Sequence, residues 1–430
     1  MVLRLDAGAP DFAQRYSALI AARGERVDAS ESAVREIVEA VRTRGIDAVL
    51  AYAARFDGMA MSAGDLAVTP RELDAAVNAC TPQLIAALER AAQRIADFHA
   101  RQRPDDAEWT DAEGVSVGWR WTPVDAAGLY APGGLAAYPS AVLMNAIPAK
   151  AAGVARLAMA TPPARALANP AILAAAKIAG VDEIWKVGGA QAIAALAYGA
   201  GPIAPTDVVV GPGNAFVAAA KKVVFGDVGI DSIAGPSEVF ILAEGDVDPS
   251  WIAADLLAQA EHDADAQSVL FTPDAAFGDA VAAAVARMLD AGEAGPSARE
   301  SWERFGAIIR VRTLRDATPL IDQAAPEHVQ IVSSDARALM SAVRHAGAIF
   351  LGAHAPEALG DYIAGPNHVL PTGRRARFAS GLSTLTFMKR TTLIGASATG
   401  LAAIGPAAAL MADAEGLPAH AASIRRRLRP

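Results

Sequence analysis

Apolar positions in the first hundred residues recur at helical spacing. Val34, Ile37, Val38 and Val41 fall at i, i+3, i+4 and i+7, and Gly45 stops the run. Thr69-Pro70-Arg71-Glu72 predicts a helix start: Thr69 caps, Pro70 occupies the first turn where no N–H is needed, and Glu72 reaches back to the cap. Thr81-Pro82 repeats the device, and Leu84, Leu88, Ile95 and Phe98 line one side of the helix that follows. The period then changes to two. Val115, Val117, Trp119 and Trp121 alternate with polar or small neighbours, as in a half-buried strand. From about Gly128 short apolar runs alternate with helices, at Arg156–Ala160, Glu183–Val187 and Asp207–Val210. A second series follows at Val239–Leu242, Val269–Phe271, Ala307–Val311, Val329–Val332 and Ala348–Leu351. Near-continuous apolar strands with helical crossovers predict parallel sheets covered on both faces. The chain reads as α/β with two such units and a seam near Gly235-Pro236. After Ser380 the alternation is lost, and the tail reads as an appended element rather than a third sheet.

Composition narrows the class of protein. The 430 residues include 47 acidic and 38 basic side chains, a net charge of −9, which argues against nucleic acid as the main partner. Hydrophobic residues make up 53% and charged residues 20%, ample for a buried core. The basic run Arg425, Arg426, Arg427 and Arg429 reads as a solvated helix end. The single cysteine, Cys80, excludes an internal disulfide and any multi-cysteine metal site, and reads as a small buried hydrophobe. Asp6 comes too early for a secretory signal, and no apolar stretch reaches the ~20 residues of a membrane span. A cytoplasmic protein without a membrane partner is expected.

Three glycine-rich turns could hold a ligand at strand ends: Ala131-Pro132-Gly133-Gly134, Gly188-Gly189-Ala190-Gln191 and Gly211-Pro212-Gly213-Asn214. The last follows a strand and opens a helix, the setting of a phosphate cradle, but Phe216 stands where the dinucleotide fingerprint has its third glycine. Nucleotide binding and plain tight turns both remain open. Of the seven histidines, His345 suits a helix C-terminus, and His99 and His354 read as surface residues. Gln259 and His262, three apart on a predicted helix, suit two ligands of one metal or a hydrogen-bonded surface pair. Asp361 and His420 are distant donors that spacing alone cannot bring to them. Glu327-His328 sets a carboxylate beside an imidazole, a pairing suited to general base chemistry or to a structural role.

Taken together, these segments resemble histidinol dehydrogenase. The resemblance rests on Gly128–Ser140, Val187–Gly199, Val210–Asn214, Ile233–Glu238, Gln259–His262, Pro326–Val329, Gly365–Pro371 and Ala414–His420, in order and without large gaps. It implies a zinc-dependent, four-electron oxidation of L-histidinol to L-histidine through histidinaldehyde, with two NAD reduced, as the final step of histidine biosynthesis. Gln259, His262, Asp361 and His420 would hold one zinc per subunit. His328 would be the base for the alcohol, and Glu327 the base that activates water onto the aldehyde. Ser237, His368 and Glu415 match substrate-contacting positions, joined there by Gln259, His262, His328, Asp361 and His420; Tyr130, Gln191 and Asn214 match NAD-contacting ones.

The resemblance further implies two incomplete Rossmann-like domains in a homodimer with active sites shared between subunits. Residues 1–25 would form an N-terminal helical arm, and 26–129 with 237–380 a discontinuous domain carrying zinc and catalytic residues. Residues 130–236 would be an inserted domain contributing to NAD binding, and 381–430 a tail reaching the partner subunit. The rival is a related zinc- and NAD-dependent enzyme for another small alcohol, such as sulfopropanediol. Glu415 and His368 suit a cationic amine and an imidazole, whereas a sulfonate would call for Arg or Lys.

Overall fold

The computed structural model describes residues 2–22, 31–132, 138–163, 169–233 and 235–428. Gly133 and Gly134 of the first glycine turn, Ala234 of the Ile233–Glu238 motif and Arg429 of the basic run lie outside the described residues. In chain order the first strands are β1 (Leu3–Asp6), β2 (Ala107–Thr110), β3 (Val115–Pro123) and β4 (Ala126–Tyr130). Next come β5 (Arg156–Thr161), β6 (Glu183–Lys186), β7 (Val208–Val210), β8 (Gly229–Ile230) and β9 (Glu238–Ala243). The last are β10 (Gln267–Thr272), β11 (Ala307–Arg310), β12 (His328–Val332), β13 (Ala348–Leu351) and β14 (Met388–Ala396).

Both predicted parallel sheets form. One has five strands in the order β6-β5-β4-β7-β8, the other six in the order β1-β11-β10-β9-β12-β13. Every pairing within them is parallel. The central strands β7, β9, β10 and β12 are buried along their whole length, which is why their sequences are apolar without alternation. The chain crosses between sheets after β8 and before β9, around the expected seam. The helix Pro70–Ala79 starts as predicted, with Thr69 and Glu72 in a reciprocal capping box. No described helix is long and apolar enough to cross a membrane.

Several expectations need correction. The N-terminal arm is not purely helical, because β1 pairs with β11 at the edge of the six-stranded sheet. Its period of two spans only four residues, Leu3 to Asp6, too few to stand out. The helix Phe12–Ala21 buries Phe12, Tyr16 and Leu19 against Phe240 and Phe271 of the same sheet. Residues 31–100, expected beside 237–380, pack mainly on the five-stranded sheet and touch 237–380 through the helix Pro82–Ala100. Val34, Ile37 and Val41 share a core with Trp185 and Leu196, and Leu88 and Ile95 share one with Leu143 and Ile172. An amphipathic stripe demands an apolar partner but does not specify which sheet supplies it.

A third sheet also exists, for β14 from the tail pairs antiparallel with β3, from Met388↔Pro123 to Ala396↔Val115, and β2 flanks β3. β14 is exposed along most of its length, so it lacks the alternation that marks a half-buried strand. His99, expected at the surface, is fully buried. Its Nδ1 lies 2.7 Å from Gln102 Oε1, and the Asn367 amide approaches its Nε2 at 3.4 Å. The helix Pro82–Ala100 thereby grips the loop that carries His368, and Arg94 adds bonds to the carbonyls of Ile363 and Ala364.

Candidate functional site

The chemistry gathers at the amino ends of β9 and β12. The helix Leu314–Ala324 stops at Ala325, whose left-handed φ of 47° turns the chain, and Pro326 cannot donate to a helical bond. Glu327 and His328 are thus delivered directly to the head of β12, where His328 pairs with Val239 across the ladder. Glu238 and Glu327 hold each other: Glu238 N–H donates to Glu327 Oε2 at 3.3 Å, and Glu327 N–H donates to Glu238 Oε2 at 3.1 Å. Ser237 adds a side-chain hydrogen bond to the Glu327 carboxyl. Burial first, and the Glu238 charge second, push the Glu327 carboxyl up to about 8.

The His328 ring is buried, with Nδ1 3.1 Å from the Glu238 carbonyl, 3.2 Å from Gln259 Oε1 and 3.3 Å from Glu357 Oε1. The Glu238 carbonyl can only accept, so the proton resides on Nδ1 and Nε2 keeps its lone pair. Burial lowers the ring to about 4, opposed by the Asp361 charge, which keeps the His328 imidazole neutral at pH 7.

Beside this pair lies a nest of metal-type donors. His262 Nε2 is 3.7 Å from Asp361 Oδ2, and donor atoms of His262, Glu357 and Asp361 lie within 4.8 Å of one another. His368 Nδ1 donates to the Asp361 carbonyl at 2.8 Å. Glu357 Oε2 and Gln259 Nε2 are buried with no hydrogen-bond partner among the described residues. Burial, reinforced by the charges of Asp361, Glu327 and Asp255, holds Glu357 well above the usual carboxylate range. Orphaned buried polar atoms are rare in native structures, and a bound group is one way they are satisfied.

The structure therefore unites Gln259, His262, Glu327, His328, Asp361 and His368, with Ser237 at their edge. It leaves Glu415 and His420 exposed in the tail. Their helices, Ala398–Ala414 and Pro418–Arg427, pack on each other through Ala409, Ala412 and Ala421, while Ile394, Leu410 and Met411 of the tail stay exposed. Glu238 and Glu357 are the members that sequence reasoning missed. Glu357 had a signal, since it lies four residues before Asp361 and a helix there puts both carboxylates on one face.

The NAD-type positions collect at the carboxyl ends of the five-stranded sheet. Tyr130 ends β4, and its hydroxyl accepts the Gly189 N–H at 3.0 Å, next to the turn that carries buried Gln191. Gly211 follows β7 with φ of 116°, pressed so closely on the Tyr130 carbonyl that any Cβ would collide with it. Asn214 caps the helix Ala215–Val224, its Oδ1 accepting from the N–H groups of Phe216 and Val217 at 3.1 Å each. The equivalent end of the six-stranded sheet holds a crevice of about 900 Å³ lined by Glu244, Asp246, Asp248 and Asp274, with Trp251 and His354. Asp248 and Asp274 already cap the helices that begin there. Four carboxylates there repel phosphate.

Fold and site define a class: an α/β protein with two parallel sheets and a buried carboxylate–imidazole pair beside a nest of metal-type donors. A family model described as histidinol dehydrogenase matches residues 21–428. The histidinol dehydrogenase of Rhodospirillum rubrum is 57% identical over 429 residues, covering 100% of this chain and 99% of that protein. That of Ruegeria pomeroyi is 54% identical, covering 99% of this chain and 98% of its own. The crystal structure of histidinol dehydrogenase from Elizabethkingia anophelis superposes with a TM-score of 0.92 at 33% identity, covering 99% of this chain and 98% of that one. The chain belongs to the histidinol dehydrogenase family, and is an oxidoreductase.

Proposed function

We propose that this cytoplasmic enzyme oxidises L-histidinol to L-histidine through the aldehyde, as the last step of histidine biosynthesis, using one zinc per subunit and two NAD in succession. One observation carries the reading: His328 is locked with Nε2 free as a base, beside the Glu327 carboxyl and inside a nest of metal-type donors. The donors fit a divalent cation, because Glu357 keeps an orphaned carboxyl oxygen beside the closely spaced His262 imidazole and Asp361 carboxylate. Gln259, His262 and Asp361 would hold the zinc, with the partner's His420 as a fourth ligand. When bound, zinc anchors the substrate's amine and imidazole, and NAD accepts hydride.

The chain's own residues do the rest. His328 Nε2 takes the hydroxyl proton in the first oxidation. Glu327, held by Ser237 and the Glu238 N–H, takes a proton from the water that adds to the aldehyde. The hydrogen bonds from the Glu238 N–H and Ser237 favour the carboxylate form that this step needs, against the burial and the Glu238 and Asp361 charges that raise it. The two bases are sequence neighbours and can serve successive steps on a substrate that stays in place. His368 and the partner's Glu415 would face the imidazole and amine. Tyr130, Gln191 and Asn214 would hold the NAD.

The exposed Ile394, Leu410 and Met411 support a homodimer in which the tail finds its cover, and its site, on a second copy. Removing the metal with a chelator should abolish turnover of L-histidinol, and adding zinc back should restore it. Turnover that survives complete metal removal would overturn the zinc assignment. Preference for an anionic sulfonate diol over L-histidinol would move the substrate to the rival enzyme class.

A further inference from the structure

We propose that a buried ion pair, Lys221 with Asp231, is a positioning device that sets the Gly211–Asn214 turn for the cofactor. This rests on the reading above that the turn receives NAD.

Lys221 stands on the helix Ala215–Val224 and Asp231 directly follows β8. The two side chains are each only 3% exposed and pair directly. Between them they hold both polar groups of one residue: Lys221 Nζ donates to the Gly211 carbonyl at 3.0 Å, and Asp231 Oδ2 accepts the Gly211 N–H at 2.9 Å. Gly211 is where the chain leaves β7 in a conformation that side-chain-bearing residues rarely adopt. Its peptide groups need partners, and a neutral side chain could supply either one.

Two full charges are a costly way to do this, because a buried ion pair loses its hydration and is weak evidence for stability as such. Charge-assisted bonds on both sides of one residue do give stiffness. The pair is internally neutral, so it does not attract phosphate at a distance; it acts through geometry. That geometry spreads. Gly211 bears on the Tyr130 backbone, whose hydroxyl holds Gly189, so the clamp braces Tyr130 and both glycine turns together. Lys221 and Asp231 belong to the five-stranded-sheet unit, whereas the bases stand at the head of β12 in the six-stranded sheet, so the effect should fall on NAD and not on histidinol.

The test compares two double variants of the zinc-loaded, full-length protein. Lys221→Met with Asp231→Leu removes the hydrogen bonds and both charges at once, leaving no buried unpaired ion. Its KM for NAD should rise about tenfold, with KM for L-histidinol and kcat at saturating NAD near those of the parent. Lys221→Gln with Asp231→Asn removes the charges but keeps a donor and an acceptor, and should recover most of that loss. A merely structural role would lower the melting temperature without this split between substrates. Asn214→Asp keeps the helix cap and adds a negative charge, so it should also raise KM for NAD. An unchanged KM for NAD in the apolar pair, with a raised one in Asn214→Asp, overturns the positioning role alone. An unchanged value in Asn214→Asp removes NAD from this turn and the proposal with it.

Discussion

Replacing His328 with alanine should lower kcat for L-histidinol by about 10³-fold, the scale of a lost general base, while zinc and the dimer are retained. The expectation follows from the ring's surroundings. Its Nδ1 faces the Glu238 carbonyl, with Gln259 Oε1 and Glu357 Oε1 close by, so the ring is oriented by its bond to that carbonyl and presents Nε2 as an unprotonated base. Because burial lowers this ring to about 4, the base stays available as pH falls from 7 through 6. An ordinary histidine, near 6.5, would lose most of its base form over that interval. The alcohol step should therefore hold its rate between pH 7 and 6, as stopped-flow detection of the first NADH would show. Loss of metal in the His328→Ala protein would instead mean that the ring is part of the metal site's scaffold.

The second large effect concerns the tail. His420→Ala and His262→Ala should each abolish activity, although His262 lies beside Asp361 in the donor nest and His420 on a helix of the distant tail. Mixed and allowed to exchange subunits, the two inactive proteins should regain about a quarter of the parent activity. Half of the dimers are then mixed, and each mixed dimer contains one site whose His262 and donated His420 are both intact. No recovery after proven exchange would count against a shared site. The exposed Ile394, Leu410 and Met411 give the tail its reason to find a partner, since burial of such side chains stabilises by about 1.5–3 kcal/mol each when complete.

Much of this was legible from residue patterns, and what was not had physical causes. The apolar strand series and the Thr69-Pro70 helix start survive intact, because complete burial and capping leave direct marks on sequence. β1 is too short to show a period, and β14 is exposed along most of its length. The stripe Val34, Ile37, Val41 announced a buried face without naming the five-stranded sheet as its partner. At the site, Gln259, His262, Glu327 and His328 could be nominated from type and spacing, but only the fold joins them to Asp361 and His368. Glu238 closed a recognised motif but carried no sign of its contact with Glu327, which depends on β9 lying beside β12, 89 residues further along the chain. The NAD-type residues show the converse. Asn214 and the Gly211 turn are fully accounted for as a cap and a tight turn, so their local geometry alone would not reveal a ligand.

The most direct test of the whole account is the amount of NADH formed per L-histidinol consumed by the zinc-loaded protein. Two base-assisted oxidations on one held substrate predict two NADH per molecule, with histidine as the product. One NADH per molecule, with free aldehyde released, would contradict the role given to Glu327, and none would remove L-histidinol as the substrate.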